Sequence, residues 1–341
     1  MRISELIGKK ICVLGGTGVI GIYVVEYLLK QGAVVDVCTR QKRKLYFNSA
    51  NYFEGDFLDL QTVREFFRDK KYDAIIDFMT YNTAKFAERY EVLLKSTCHY
   101  VFMSSYRVYS DKELPIKESS PRLLEVATEK EFLESDDYSL FKAREENILR
   151  SSKFINWTIL RPAITYSRQR IAFVTLELPL MLRRSQKQKP IYIPDDVLNV
   201  EATCTWAGDV AKMIVSLVLN ENAYGEIFSV CTSEHQTWGT IANYYHDLIK
   251  ADIQPIPTED YLNFFGNKPV NRWQLYYDRC MNRVMDNSKI LNITGIEEKD
   301  IISLRDGLEK SIKEAAESTS WPEYTNLYDV DKAMDYYTTM R

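Results

Sequence analysis

The chain has 341 residues, 45% of them hydrophobic and 27% charged, a composition of the soluble globular class with enough length for a large core in two lobes. Its formal net charge is -4 and no segment is strongly basic, which argues against the electrostatic footprint of a nucleic-acid binder. No apolar run reaches the ~20 residues of a membrane span and MRISELIGKK lacks a signal-peptide core, so the expectation is a cytoplasmic protein with no nucleic-acid or membrane partner.

The first predicted strand is KICVL, and it runs directly into GGTGVIG. The helix that follows carries Ile20, Val24 and Leu28 at helical spacing, with Gly32 where a C-terminal cap belongs. Between strand and helix stand Gly15, Gly16, Thr17, Gly18, Val19, Ile20 and Gly21. Glycines let a backbone approach a pyrophosphate, and the N-terminus of the next helix offers free N–H groups and partial positive charge. A glycine triplet alone fits any tight corner. A strand before it, a helix after it and a second strand beyond make it the cradle of a dinucleotide.

The second strand, AVVDVCT, bears on which dinucleotide. A carboxylate at its tip bonds the adenosine 2′-hydroxyl of NAD, whereas a cation accommodates the 2′-phosphate of NADP. Asp36 falls mid-strand, and the tip is Thr39-Arg40 with Lys42, Arg43 and Lys44 close behind. NADP(H) is the favoured cofactor and NAD(H) the alternative; a solvated basic loop explains the same cations without any cofactor.

Further along, EFFRDK and FAERYEVLLKS read as helices between the strands YDAIIDF and HYVFMS, and NWTILRP and GEIFSVCT read as the last strands. Continuous apolar strands separated by helices form a parallel sheet covered on both faces. The expected fold class is α/β, a Rossmann-type doubly wound parallel sheet with a smaller discontinuous α/β substrate lobe. Residues 1–164 plus 206–232 make the dinucleotide-binding domain, and 165–205 plus 233–341 the lobe. The aromatic C-terminal tail from Trp321 reads as a docked helix. The six cysteines form no Cys-x-x-Cys pair and His99, His235 and His246 have no ligand spacing, so no metal site is expected.

The chemistry is sought in DDYSLFKAREENIL, where Tyr138 and Lys142 lie four apart on one helix face. A free phenol ionises near pH ~10, too high for a base at neutrality; a cation one turn away stabilises the phenolate and can also hold a nicotinamide ribose. With 23 tyrosines such a pair arises by chance, so its position matters: it follows a strand ending in Ser104-Ser105, whose hydroxyls could orient a substrate oxygen. Strand-end turn chemistry is the competing account of these serines, more so for Ser104.

Seven pieces in order, GGTGVIG, GDFLD, SSYRVY, YSLFK, LRPAITYS, WAGDVA and RVMDNSKI, span about residues 9 to 300. In this order the chain resembles the extended short-chain dehydrogenase/reductase family of nucleotide-sugar epimerases, dehydratases and keto-reductases. The resemblance implies Ser105, Tyr138 and Lys142 as the catalytic set, with Asp56 and Phe57 at the adenine. It implies Phe78, Met79 and Thr80 at the nicotinamide ribose, and Pro162, Ala163 and Ile164 at the nicotinamide. Dehydratases of the family carry acidic residues after the catalytic Ser or Thr; Tyr106 and Arg107 stand there instead, which argues against dehydration and turns both toward the substrate. The arginine that many members place seven before the aspartate of WAGDVA is Ala202 here. Arg168, Arg170, Arg272, Arg279 and Arg283 are candidate substitutes, Arg168 and Arg279 foremost, and Tyr81 and Tyr166 join them as substrate-side candidates.

The expected function is hydride transfer at a ring carbon, C4, of a nucleotide-diphosphate sugar, with Tyr138 moving the proton and Ser105 orienting the oxygen. A keto-reductase is slightly favoured over a 4-epimerase with retained NAD. A Rossmann-fold binding or sensor protein is the alternative of another class. A homodimer is the family-level expectation.

Overall fold

The structure is a computed structural model that describes residues 6–40, 46–317 and 326–340; Lys42, Arg43, Lys44 and Trp321 lie outside the described residues. β1 (Lys10–Leu14) faces two cores at once. Ile11 and Val13 pack with Ile22, Val25 and Leu28 of α1 (Gly21–Lys30), while Cys12 and Leu14 pack with Val63 of α2 (Leu60–Phe67) and Phe86 of α3 (Thr83–Lys95). Burial on both faces is why the strand is apolar without alternation.

β2 (Val34–Thr39), β3 (Asn51–Glu54), β4 (Tyr72–Asp77), β5 (Thr97–Met103), β6 (Trp157–Pro162) and β7 (Glu226–Val230) complete a seven-stranded sheet in the order β7-β6-β5-β4-β1-β2-β3. Every neighbouring pair is parallel, as a doubly wound sheet requires. The chain leaves β3 at one edge and returns on the other side of β1 as β4, so the order reverses between β1 and β4. The carboxyl ends of those two strands therefore diverge into a crevice, where such sheets bind ligands.

Six of the strands coincide with the stretches read as strands above; β3 does not. It is a four-residue edge strand, NYFE, whose Tyr52 and Phe53 are only half-buried, so it carries neither the length nor the continuous apolarity of its neighbours. Its register sets Asn51 opposite Asp36. The Asp36 carboxylate accepts from Asn51 Nδ2 at 2.9 Å and from Tyr72 OH at 2.7 Å, and is thus engaged inside the sheet.

The chain on either side of β7 is stitched together by short pairings. Ile191–Pro194 runs parallel to Ile253–Ile256, and Glu201–Ala202 antiparallel to Gln236–Thr237. The helix Asn326–Thr339 docks on this part of the molecule: Met334 is buried, and Arg184 Nη1 donates to Asp331 at 2.6 Å and Asp335 at 3.0 Å. No described helix is long and apolar enough to cross a membrane.

Candidate active site

The glycine turn joins β1 to α1 at the crevice. Gly15 has φ +76, and a Cβ on Gly21 would fall 2.7 Å from Gly16 Cα and 2.8 Å from Gly15 O, so only glycine lets the helix start this close to the turn. The α1 N-terminus has no side-chain cap and no acidic residue in its first turn. Ile22 N and Tyr23 N donate to Gly18 O and Ile20 O at 3.2 and 3.1 Å, so the glycine turn just ahead of the helix is the part that can meet an anion, and this cradle suits a pyrophosphate.

A cleft of about 660 Å3 opens over the turn. Gly15, Thr17 and Gly18 form its floor, Thr39 and Arg40 extend from the β2 tip, and Phe57, Phe78, Met79 and Thr80 line the rest. Gly16 and Gly21 shape the turn without reaching this wall. Asp56 also stays off it, its Oδ1 accepting from Leu58 N at 3.0 Å. Gln169, from the chain after β6, reaches over the turn, and its Nε2 donates to Tyr46 OH at 2.9 Å.

A second cleft of about 370 Å3 adjoins the first, and Thr80 lines both. Its walls bring together Val19 and Ile20 from the turn, Ser104, Ser105, Tyr106 and Arg107 beyond β5, Tyr138, and Pro162, Ala163 and Ile164 at the end of β6; Arg279 closes it from the C-terminal part of the chain. Tyr81, Tyr166, Arg168 and Lys142 are not on the wall of either cleft. Tyr81 is buried with its hydroxyl on Asp77 at 3.1 Å, Tyr166 is buried against Gly307, and Arg168 is exposed.

Ser105 ends the extended strand segment and caps the single turn Tyr106–Val108, its Oγ accepting from Arg107 N at 3.2 Å. Ser104 points the other way and donates to the buried Glu146 at 2.5 Å. Tyr138 is the first residue of α4 (Tyr138–Arg150), set in place by Asp137, whose carboxylate accepts from Ser139 N at 2.9 Å. The half-buried Tyr138 ring lies edge-on to Phe141 and under the Arg107 guanidinium, 5.2 Å from its Cζ.

One turn on, Lys142 is buried. Its Nζ is 3.0 Å from Glu145 Oε2, an ion pair without hydrogen-bond angles, and 4.6 Å from the Phe102 ring centroid. Burial pushes the Glu145 carboxyl up to about 7 against the opposing pull of Lys142, and Asp77 nearby adds to the rise. The reading of Lys142 from its spacing did not include this partner. The second glutamate of KAREEN, Glu146, was also unread: it takes Arg161 Nη2 at 2.6 Å and Arg122 Nη1 at 3.0 Å.

Asp278 is another residue the sequence reading passed over, although it stands next to Arg279 in YYDRCMNR. It is fully buried and accepts from Tyr106 OH at 2.6 Å and Arg279 Nη1 at 2.5 Å, with Arg107 Nε at 3.3 Å. Burial alone would raise its carboxyl, but the guanidiniums of Arg279, Arg107 and Arg283 outweigh that and hold it below the usual carboxylate range. The acid beside a run of arginines was the available signal.

The model of the NAD dependent epimerase/dehydratase family matches residues 11–231, from β1 to just beyond β7. The chloroplast stem-loop binding protein of 41 kDa b from Arabidopsis thaliana is 24% identical over 260 residues, 71% of this chain and 64% of that protein. A UDP-glucose 4-epimerase from Lactobacillus helveticus is 30% identical over 133 residues, 33% of this chain and 40% of the epimerase. The matches thus span less than two thirds of the length of either relative. The UDP-glucose 4-epimerase of Thermus thermophilus, solved in complex with NAD, superposes with a TM-score of 0.68 at 17% identity, covering 91% of this chain and all of that one; a likeness this remote speaks for the fold. The family match takes in the glycine turn, Ser105, Tyr138 and Lys142 together, and the chain belongs to the NAD dependent epimerase/dehydratase family of enzymes.

Proposed function

We propose that this protein catalyses hydride transfer at a ring carbon, C4, of a nucleotide-diphosphate sugar. The observation that carries the reading is the shared wall of the second cleft, where Ser105 and Tyr138 meet beside the glycine-turn cleft through Thr80. Ser105 orients the reacting oxygen, Tyr138 gives or takes its proton, and Lys142 supplies the positive charge behind the phenol. A nicotinamide bound over Thr80 and Pro162 to Ile164 supplies hydride chemistry. The segments 165–205 and 233–341 form the lobe that receives the nucleotide sugar. Activity toward a panel of nucleotide sugars and their 4-keto forms, read in the absorbance band of reduced nicotinamide or as sugar isomers, tests the reading; no conversion with either cofactor would overturn it.

Two versions of the reaction use the same residues. Arg40 at the first cleft, with Asp36 engaged in the sheet, favours a keto-reductase using NADP(H). The epimerase relatives favour a 4-epimerase that keeps its NAD. Tightly bound NAD(H) in the purified protein would select the epimerase. Arg40→Asp is expected to weaken NADP(H) and shift preference toward NAD(H), because a charge-assisted contact becomes a repulsion. Calorimetry of both cofactors against both proteins checks it, and a wild-type preference for NAD(H) would defeat the claim before any mutant is made.

A binding role of another class draws on the printed name of the Arabidopsis relative, a stem-loop binding protein. The net charge of -4 counts against it. Stem-loop RNA binding that weakens steeply with salt, without any nucleotide-sugar turnover, would favour that role.

A further inference from the structure

We propose that Arg107 and Arg279 form an anion subsite in the second cleft that takes a carboxylate on the sugar ring, next to the reacting carbon. The proposal rests on the reading of Tyr138 as the proton-transfer group at that carbon.

The arginines are brought together by segments far apart in the chain. Arg107 comes from the turn after β5, whereas Arg279 ends the helical turn Leu275–Arg279 and Arg283 follows it. The carboxylates ion-paired with these three guanidiniums, among the described residues, are Asp278 and Asp137. Asp278 is shared by all three: Arg279 Nη1 is at 2.5 Å, Arg107 Nε at 3.3 Å and Arg283 Nε at 3.6 Å. Asp137 lies 3.6 Å from Arg107 Nη2, but its Oδ1 already accepts from Ser139 N and Ser139 Oγ at 2.9 and 2.7 Å. Asp111 acts on Arg283 from farther off, and its Oδ2 accepts from Asn282 N. On the cleft wall the guanidiniums of Arg107 and Arg279 share one buried carboxylate, Asp278, and an anion in the cleft would meet both from the open side.

Both arginines line the cleft, and Arg279 keeps a donor in reserve. Arg107 Nε and Nη2 are turned to Asp278 and Asp137 at 3.3 and 3.6 Å, outside hydrogen-bond geometry, and the side chain retains 14% exposure on the cleft wall. Arg279 commits Nε to Val174 O and Nη1 to Tyr106 and Asp278, which leaves Nη2 with no protein acceptor among the described residues.

Position selects the anion. The Arg107 guanidinium covers the Tyr138 ring with its Cζ 5.2 Å from the centroid, so what it holds lies beside the oxygen that Tyr138 protonates. In a pyranose the C5 substituent neighbours the C4 oxygen, while the anomeric diphosphate lies across the ring. A C6 carboxylate meets the first requirement, and its two oxygens suit the planar guanidinium fork.

UDP-glucuronate and UDP-glucose differ only at C6, and UDP lacks the sugar, so calorimetry of the three with cofactor present separates the cases. The wild type is expected to bind the uronate roughly 10- to 100-fold tighter than UDP-glucose, the range of a hydrogen-bonded charge. Arg107→Lys and Arg107→Gln should erase most of that preference while leaving UDP and cofactor affinities unchanged. Equal binding of both sugars by the wild type, or a preference that survives in both variants, overturns the carboxylate subsite alone. Weakened binding of UDP itself in the variants overturns it in favour of a diphosphate grip. Failure of all three ligands to bind defeats the nucleotide-sugar reading and takes the subsite with it.

Discussion

Tyr138→Phe is expected to lower turnover by ~10²- to 10⁴-fold, the range contributed by a positioned acid or base, while cofactor affinity stays near that of the wild type. The substitution removes one oxygen and keeps the ring. The edge contact with Phe141 at 5.2 Å and the Arg107 stack both involve the ring, and Asp137 caps α4 through Ser139 rather than through Tyr138. The fold and the cleft wall should therefore survive, and the loss should fall on kcat. Steady-state rates on the identified substrate, with calorimetry of the cofactor as the control, check this. A variant that turns over like the wild type would remove Tyr138 from the chemistry.

The second large effect is on stability and centres on Glu146. This buried carboxylate accepts from Ser104 Oγ, Arg161 Nε, Arg161 Nη2 and Arg122 Nη1 at 2.5, 2.8, 2.6 and 3.0 Å. Through these bonds it ties α4 to the ends of β5 and β6, the two strands that deliver Ser105 and Pro162. Glu146→Gln leaves two guanidiniums facing a neutral amide, and breaking a buried pair in this way costs about 3–5 kcal/mol. Denaturant unfolding of both proteins measures it.

The same group has a pH signature. Burial would raise the Glu146 carboxyl, but Arg161, the Ser104 hydroxyl and Arg122 more than offset this and hold it below its ordinary value of 4.5. A carboxyl depressed in the folded state contributes stability that is complete above the unfolded value and is lost as pH falls through the lower folded value. The stability difference between wild type and Glu146→Gln should accordingly hold steady above about pH 4.5 and shrink below it. A difference that instead grows on acidification would mean that Glu146 is not the depressed group.

The parts of the molecule that could be read from the chain are those with local signatures. The glycine turn lies between a strand and a helix within a dozen residues, and the apolar runs of β1, β2 and β4 to β7 declare buried parallel strands. The helix that begins at Tyr138 and the strand end before Ser105 are legible locally, whereas their catalytic assignment comes from the family resemblance. The unread features have no such locality. Tyr106 and Asp278 bond across 172 positions, and nothing in either neighbourhood foretells the pairing. β3 escapes because a four-residue edge strand with two half-buried and two exposed residues lacks the apolar run that marks its neighbours. Glu145 sat in plain view beside Lys142, but helix spacing fits it equally to a solvated face; only the burial of both side chains turns it into the partner of the lysine.

The central claim, hydride transfer at a sugar carbon rather than proton abstraction from it, is tested most directly by isotope tracing. A nucleotide sugar carrying deuterium at C4 is incubated with the protein and cofactor in ordinary water, and sugar and cofactor are then weighed by mass spectrometry. The account predicts that deuterium stays out of the solvent, being recovered on sugar or cofactor, and that Tyr138→Phe slows its movement. Deuterium washed into water from C4 would contradict the account.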